Sequence, residues 1–203
     1  MAEKIFSING PVVRAANSRE FAMLEMVYVG DARLIGEVIG ISRDFTTIQV
    51  YESTTSLKPG EPIFGTGAPL SVTLGPGLLS NIFDGVERPL RDMTLRSGAF
   101  IDAGSDYSAL DEEKKYNVTV TVKVGDILIR GQVYATCPEG NLIVHKCLYN
   151  GGEGRVLSVV SDGEYTVNDT IVTVEIGKDE PVALTLAQKW PIRIPRPVAK
   201  RLA

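Results

Sequence analysis

Few residues in this chain have the types and spacing that catalysis or ligand binding demands. Its single histidine, His145, stands two positions before Cys147, one of two cysteines. On an extended strand those positions share a face, as two metal ligands would. A structural zinc site takes four ligands, and nothing else in the chain has ligand spacing. No serine sits in a nucleophile-elbow sequence that His145 could serve. It therefore reads as an ordinary strand histidine.

The other chemical candidate is glycine-rich: LGPGLLSNIFDGVERPL at 74–90. A dinucleotide fingerprint needs Gly-x-Gly-x-x-Gly between a strand and a helix, so that helix N–H groups meet the pyrophosphate. Gly75 and Gly77 fit, but Ser80 takes the third place and no helix-length run follows. Gly65-Thr66-Gly67 fails in the same way, with Leu70 third. The one Gly-Lys pair, Gly177-Lys178, is followed by Asp179 and has Val172 where a Walker loop needs glycine. The stretch at 74–90 reads as turn and linker.

Two further chemistries are weighed and set aside. A lipoyl- or biotinyl-type carrier presents a lysine at a hairpin tip. The expected tips, Pro138–Asn141, Asn150–Gly152 and Asp162-Gly163, contain none, and Lys146 lies inside a strand. The tail KWPIRIPRPVAKRLA gathers Lys189, Arg193, Arg196, Lys200 and Arg201, which could meet phosphates of a nucleic acid. The chain carries a formal charge of -4 and no aromatic stacking platform. The tail reads instead as an extended connector whose charges pair within a larger assembly. No catalytic, cofactor-binding or metal-ligating residue is assigned.

The elements that would position such groups are strands. With 203 residues, 44% hydrophobic and 23% charged, the chain suits one large soluble domain or two small ones. No apolar run approaches the roughly 20 residues that span a bilayer, and MAEKIFSING lacks a signal core; a cytoplasmic location is the expectation. Strands are expected at Lys4–Asn9, Val12–Ala16, Phe21–Val29, Arg33–Ser42 and Thr46–Glu52. In the last, Ile48 and Val50 share one face while Gln49 and Tyr51 share the other. Gly36 and Gly40 suggest bulges or tight bends of a small closed barrel over residues 1–72.

The stretch from Leu57 to Pro76 is rich in proline and glycine and reads as a rigid connection. Tyr107–Lys115 is a helical candidate that Ser108 could cap. From Asn117 to Leu186 the pattern is again β, with Asp162-Gly163 as a two-residue hairpin signal. The runs 131–136 and 142–147 read as a hairpin that sets Cys137 opposite Leu142. Cys147 then lies about 16 Å along the strand, beyond disulfide reach. Pro191, Pro195 and Pro197 hold the tail extended. The fold class is thus mainly all-β: a barrel, then a β-rich, barrel-sandwich-like unit, with extended connectors.

TTIQVYE and LKPGEPIFGTGAPLSVTLGPGLLSNIFDGVERPL, with VYVGDARLIGEVIGI before them and VKVGDILI, GEYTV and KWPIRIPRPV after, closely resemble the catalytic A subunit of V-type and archaeal-type rotary ATPases. The resemblance covers roughly residues 4–198. It implies four regions: an N-terminal barrel at 1–72, a connector into the edge of the nucleotide-binding domain at 73–95, a bulge insertion at 96–187, and a re-entry segment at 188–203. By the same resemblance the phosphate loop lies beyond Ala203. The full-length parent then binds ATP and Mg2+ and couples ATP hydrolysis or synthesis to H+ or Na+ transport. Its partners would be non-catalytic B subunits in an alternating hexamer, and peripheral-stalk subunits through the bulge. It would touch no nucleic acid and meet the membrane only through the complex. Cys147, Tyr116 and the turn Asn150-Gly151-Gly152 depart from the family pattern, which weakens the match of the bulge alone. Two alternatives come from other classes: a nucleic-acid-binding, translation-factor-like barrel module, and a free-standing interaction module.

Overall fold

The computed structural model describes residues 3–16, 20–79, 81–98, 104, 107–140, 143–177 and 180–197. Ser80, Asn141, Leu142, Lys178, Asp179, Lys200 and Arg201, which enter the sequence readings above, lie outside the described residues. The chain divides into two compact units, 1–72 with 82–107 and 73–81 with 108–203.

The first unit contains a closed six-stranded barrel. Its strands are β1 (Glu3–Asn9), β2 (Val12–Ala16), β3 (Glu25–Val29), β4 (Leu34–Ile41), β5 (Phe45–Val50) and β6 (Pro62–Pro69). Around the barrel they run β1-β2-β5-β4-β3-β6, and β6 returns to β1. Alternating apolar residues, most of them β-branched, point Val13, Val27, Val29, Leu34, Val38, Ile48 and Ile63 inward, each essentially unexposed. On β5 Ile48 and Val50 are buried while Gln49, and Tyr51 just beyond the strand, are exposed, as the alternation predicts. Closure gives every strand two neighbours, so none is an edge strand of an open sheet.

The two barrel glycines do different work. The pairing of β4 with β5 shifts register between Val38 and Gly40, so the expected bulge lies beside Gly40. Gly36 sits in regular pairing, but a Cβ there would come 2.9 Å from Ile48 Cγ2 and 3.1 Å from the Gln49 carbonyl. Its role is close approach. Buried polar groups are satisfied locally: Glu25 accepts from the amides of Ala22 and Gly67 at 2.7 and 2.8 Å, and Tyr51 donates to Glu37 at 2.8 Å.

The stretch read as a connection between Leu57 and Pro76 is corrected: β6 within it completes the barrel. Prolines stand at both ends of β6 and glycines in its middle, a composition that hides a strand. Pro62 and Pro69 are tolerated because terminal strand positions need not donate to a ladder. The helical candidate at 107–115 is corrected as well. Asp111 accepts from the amides of Glu113 and Lys114, a local turn that competes with helix. The helix is instead α1 (Leu90–Ser97), following Pro89, with Asp92 in its first turn and Met93 fully buried.

The second unit packs two four-stranded sheets around one core. One sheet orders β11 (Ile143–Leu148), β10 (Val133–Glu139), β8 (Tyr116–Val120) and β13 (Gly163–Tyr165). The other orders β15 (Val182–Leu184), β14 (Val172–Glu175), β12 (Gly154–Val159) and β9 (Ile127–Leu128). Val118, Ala135 and Cys147 from the first sheet share a core with Leu128, Val156 and Val174 from the second. A further ribbon pairs β7 (Ser71–Leu74) with β16 (Gln188–Pro191). The mainly all-β class, barrel followed by β-rich sandwich, is what the sequence predicts.

Two hairpin readings are corrected here. Asp162-Gly163 joins β12 to β13, which belong to different sheets. Asp162 Oδ1 accepts from the amide of Val120 on β8 instead, at 2.9 Å. In the hairpin of β10 and β11, Cys137 stands opposite His145, and Cys147 opposite Ala135. The cysteines are therefore diagonal neighbours, roughly 7–8 Å apart between Cα atoms, not about 16 Å. Both are free thiols. The turn comes later than the sequence pattern suggests because Pro138, by type a turn residue, belongs to a strand. It lies in β10 past the reach of β8, which pairs only with Ala135 and Thr136.

Candidate functional site

The glycine-rich stretch is the natural place to look for a ligand, and two of its amides are already engaged by a carboxylate. Gly77 and Leu79 both donate backbone N–H bonds to Oε1 of Glu139, at 2.7 and 3.0 Å. Asn81 closes the turn by donating from Nδ2 to the Gly77 carbonyl at 2.7 Å. Gly77 adopts φ +104°, where a side chain is strained, and a Cβ there would sit 2.5 Å from the Tyr116 hydroxyl. A Cβ at Gly75 would lie 2.6 Å from Leu110 Cδ1. The glycines thus let the chain lie against Leu110 and Tyr116, and the paired amides hold a carboxylate of the same chain. A phosphate brought to those amides would meet the negative charge of Glu139.

The other face of that carboxylate looks toward His145, whose Nδ1 is 3.8 Å from Glu139 Oε2. Burial holds the His145 pKa below the ordinary histidine value; Glu139 pulls it up, and Arg196 pushes it further down. The β10–β11 register does bring His145 onto one sheet face with Cys137 and Cys147. Burial pushes the Cys137 thiol up to about 11 and the Cys147 thiol up to about 12. At neutral pH both are protonated, which makes them poor nucleophiles and poor metal ligands. Among the described residues no group of three or more His, Cys, Asp and Glu side chains is placed to hold a metal ion.

One ionic cluster has no counterpart in the sequence reading. Arg88 reaches Glu52 through Nη1 at 2.8 Å and Asp84 through Nε at 2.7 Å. Asp84 Oδ1 also accepts from the amides of Val86 and Arg88, and Glu52 Oε2 accepts from the Gly104 amide. The signal DGVER, an acid four positions before an arginine, marks the local turn. Glu52, 36 positions away, carries no sequence signal. The cluster fastens one segment of the first unit to another.

In the tail, Trp190 donates from Nε1 to the Ile194 carbonyl at 2.6 Å. The Arg196 guanidinium carbon stands 5.8 Å from the centre of the Trp190 ring. Lys189 and Arg193 are exposed. The described part of the tail is thus anchored through β16 and Arg196.

Comparison with known proteins fits this architecture. The ATP synthase alpha/beta family, beta-barrel domain, matches residues 5–67, and the ATPsynthase alpha/beta subunit barrel-sandwich domain matches residues 107–193. The chain therefore belongs to the ATP synthase alpha/beta family. Within it, the similar proteins are A subunits. The V-type ATP synthase alpha chain of Halothermothrix orenii is 48% identical over 98% of this chain. The A subunit of the A-type ATP synthase of Methanopyrus kandleri is likewise 48% identical over 98% of this chain. Alpha chain 2 of the Clostridium tetani V-type ATP synthase is 46% identical over the same share. In all three the matched segment is 34% of the relative, so the chain spans about a third of the length of these proteins.

Proposed function

We propose that this chain is the N-terminal portion of the A subunit of a V-type or A-type ATP synthase, and that its own work is mechanical. The full-length protein would bind ATP and Mg2+ in other segments and couple ATP hydrolysis or synthesis to H+ or Na+ transport. The observation that carries this reading is the match to A subunits, nearly end to end along this chain and over only a third of theirs. The described glycine-rich loop supports it, since its amides hold Glu139. The barrel supplies a stiff block without free edges, suited to a collar of alternating A and B subunits. The second unit would serve as the bulge, toward the peripheral stalk. The location would be the soluble head at the cytoplasmic face of a membrane; no described helix is long and apolar enough to cross one.

Calorimetry with Mg-ATP tests the division of labour. No binding is expected by the 203-residue chain at micromolar nucleotide, and micromolar affinity would overturn the reading. Gel filtration after co-expression with the B subunit tests the assembly role. A barrel-dependent complex is expected, and salt-sensitive RNA binding in place of one would favour the nucleic-acid alternative.

A further inference from the structure

The turn after β11 joins an asparagine to a glycine, Asn150-Gly151, and that order of residues has a chemistry of its own. The backbone nitrogen that follows an asparagine can attack the side-chain carbonyl carbon. Glycine carries no Cβ to hold the two apart. The pair lies outside any strand, between β11 and β12. The Gly151 amide, the attacking group, donates to no acceptor among the described residues. Packing also keeps a larger, protective residue out of position 151. A Cβ there would press on the Tyr149 hydroxyl and lie 2.6 Å from Cζ of that ring. Tyr149 is 1% exposed and belongs to the core of the second unit.

The side chain that would react faces a cation. Asn150 Nδ2 donates to Oε1 of Gln188 at 2.8 Å, and Arg196 Nη2 donates to the same oxygen. Position 150 therefore meets the guanidinium across a single acceptor atom, within about two hydrogen-bond lengths, or roughly 6 Å. No carboxylate among the described residues lies within ion-pair distance of Arg196. A carboxylate is the group that a guanidinium pairs with best, and conversion of Asn150 to an acid would bring one there.

We propose that Asn150-Gly151 is a site of spontaneous deamidation, and that its aspartate product becomes the counter-ion of Arg196. The Gly151 nitrogen loses its proton and bonds to Asn150 Cγ; the Cγ–Nδ2 bond breaks and ammonia leaves, which closes a succinimide ring. Water then adds to one of the two ring carbonyls. Cleavage of the new Cγ–N bond leaves aspartate, while cleavage of the original peptide bond leaves isoaspartate, with the backbone rerouted through Cβ. The sum is amide plus water giving carboxylate plus ammonium, with no change of oxidation state. The aspartate gives up the donor to Gln188 and gains a negative charge facing Arg196. This assignment stands on residues of the second unit and does not depend on the function proposed above.

The 203-residue chain is held for weeks at mildly alkaline pH and physiological temperature, then mapped by peptide mass spectrometry. Asn150 should convert at least about tenfold faster than Asn81, Asn117 and Asn168, which precede Ile82, Val118 and Asp169. Isoaspartate should appear in the same peptide. Asn9-Gly10, the other Asn-Gly pair, is exposed, and its conversion shows that the conditions suffice. If Asn9 converts while Asn150 is no faster than those three, the site is overturned. The counter-ion role has its own readout in Asn150→Asp, which reproduces the normal-backbone product. That variant should melt higher than the parent chain at low salt. The gain should shrink at high salt and vanish when Arg196→Met is also present. Melting no higher than the parent, or an equal gain with and without Arg196, would overturn the pairing.

Discussion

The Oε1 atom of Glu139 lies 2.7 Å from the amide nitrogen of Gly77, so a strand carboxylate sits where a nucleotide-binding loop would hold a phosphate. The same oxygen takes the Leu79 amide at 3.0 Å. Glu139→Ala leaves both amides without this acceptor and should cost about 1–3 kcal/mol. Glu139→Gln keeps one acceptor oxygen and should lose less. Urea unfolding followed by Trp190 fluorescence gives the energies. Hydrogen exchange at Gly77 and Leu79 should speed up in the alanine variant; unchanged exchange would mean that other contacts hold the loop.

Gly36 and Gly40 stand on the same strand and should respond oppositely to a methyl group. Gly36→Ala forces a Cβ to 2.9 Å from Ile48 Cγ2 and 3.1 Å from backbone, an overpacking that should cost about 1–3 kcal/mol. At Gly40 the nearest atom would be 3.7 Å away, and alanine should shift stability by no more than about 0.5 kcal/mol. Paired thermal melts of the two variants check the contrast.

Asp84 couples the first unit to pH. Burial pushes its pKa up, but hydrogen bonds from the Arg88 amide, the Arg88 side chain and the Val86 amide outweigh it, and the net shift is downward. An acid whose pKa is depressed by folding stabilises the fold above its unfolded value, about 3.9. That stabilisation is lost as pH falls through the lower folded value. Asp84→Asn should flatten the acid limb of stability. Arg88→Ala, which strands Glu52 and Asp84 together, should cost about 2–4 kcal/mol at neutral pH. Circular dichroism melts between about pH 2 and pH 7 resolve both effects.

His145 should titrate in a higher window. Its folded pKa is depressed by burial, so the unfolded chain binds the extra proton first, near pH 6.5. Stability of the second unit should therefore fall as pH drops below about 6.5, until the folded value is passed. His145→Gln should remove that slope. Trp190 fluorescence during denaturation follows this unit and checks it.

The thiols supply a test of packing. Cys137 and Cys147 are buried, with pKa values pushed up to about 11 and about 12. At about pH 8 a disulfide reagent such as DTNB should react with both only at the rate of unfolding, and stoichiometrically in denaturant. Fast labelling of either in the native chain would contradict the described core.

What the sequence discloses follows what is local. Alternation in VVRAA and FTTIQV decides which face is buried before any partner is known, so five of the barrel strands are legible. The sixth, PIFGTGAP, is not, because its identity comes from the two strands that it joins. Asp162-Gly163 has the chemistry of a hairpin, yet Asp162 spends its carboxylate on Val120 and the chain passes to the other sheet. No dipeptide encodes that choice. The same holds for the chemistry: the failure of the phosphate motifs can be read from Ser80 and Leu70, while the filling of the loop by Glu139, some sixty residues away, needs three dimensions.

The barrel has one narrow join. Among the described residues, β6 meets β1 at Glu3↔Ile63 and Lys4↔Pro62, and Pro62 has no N–H to give. Beyond it the link continues as two backbone bonds exchanged between Ile5 and the residues Gly60 and Glu61. Under tension or brief opening, this hoop should part first along that line, while β1 stays zipped to β2. Proteases and deuterium should find the interior from there.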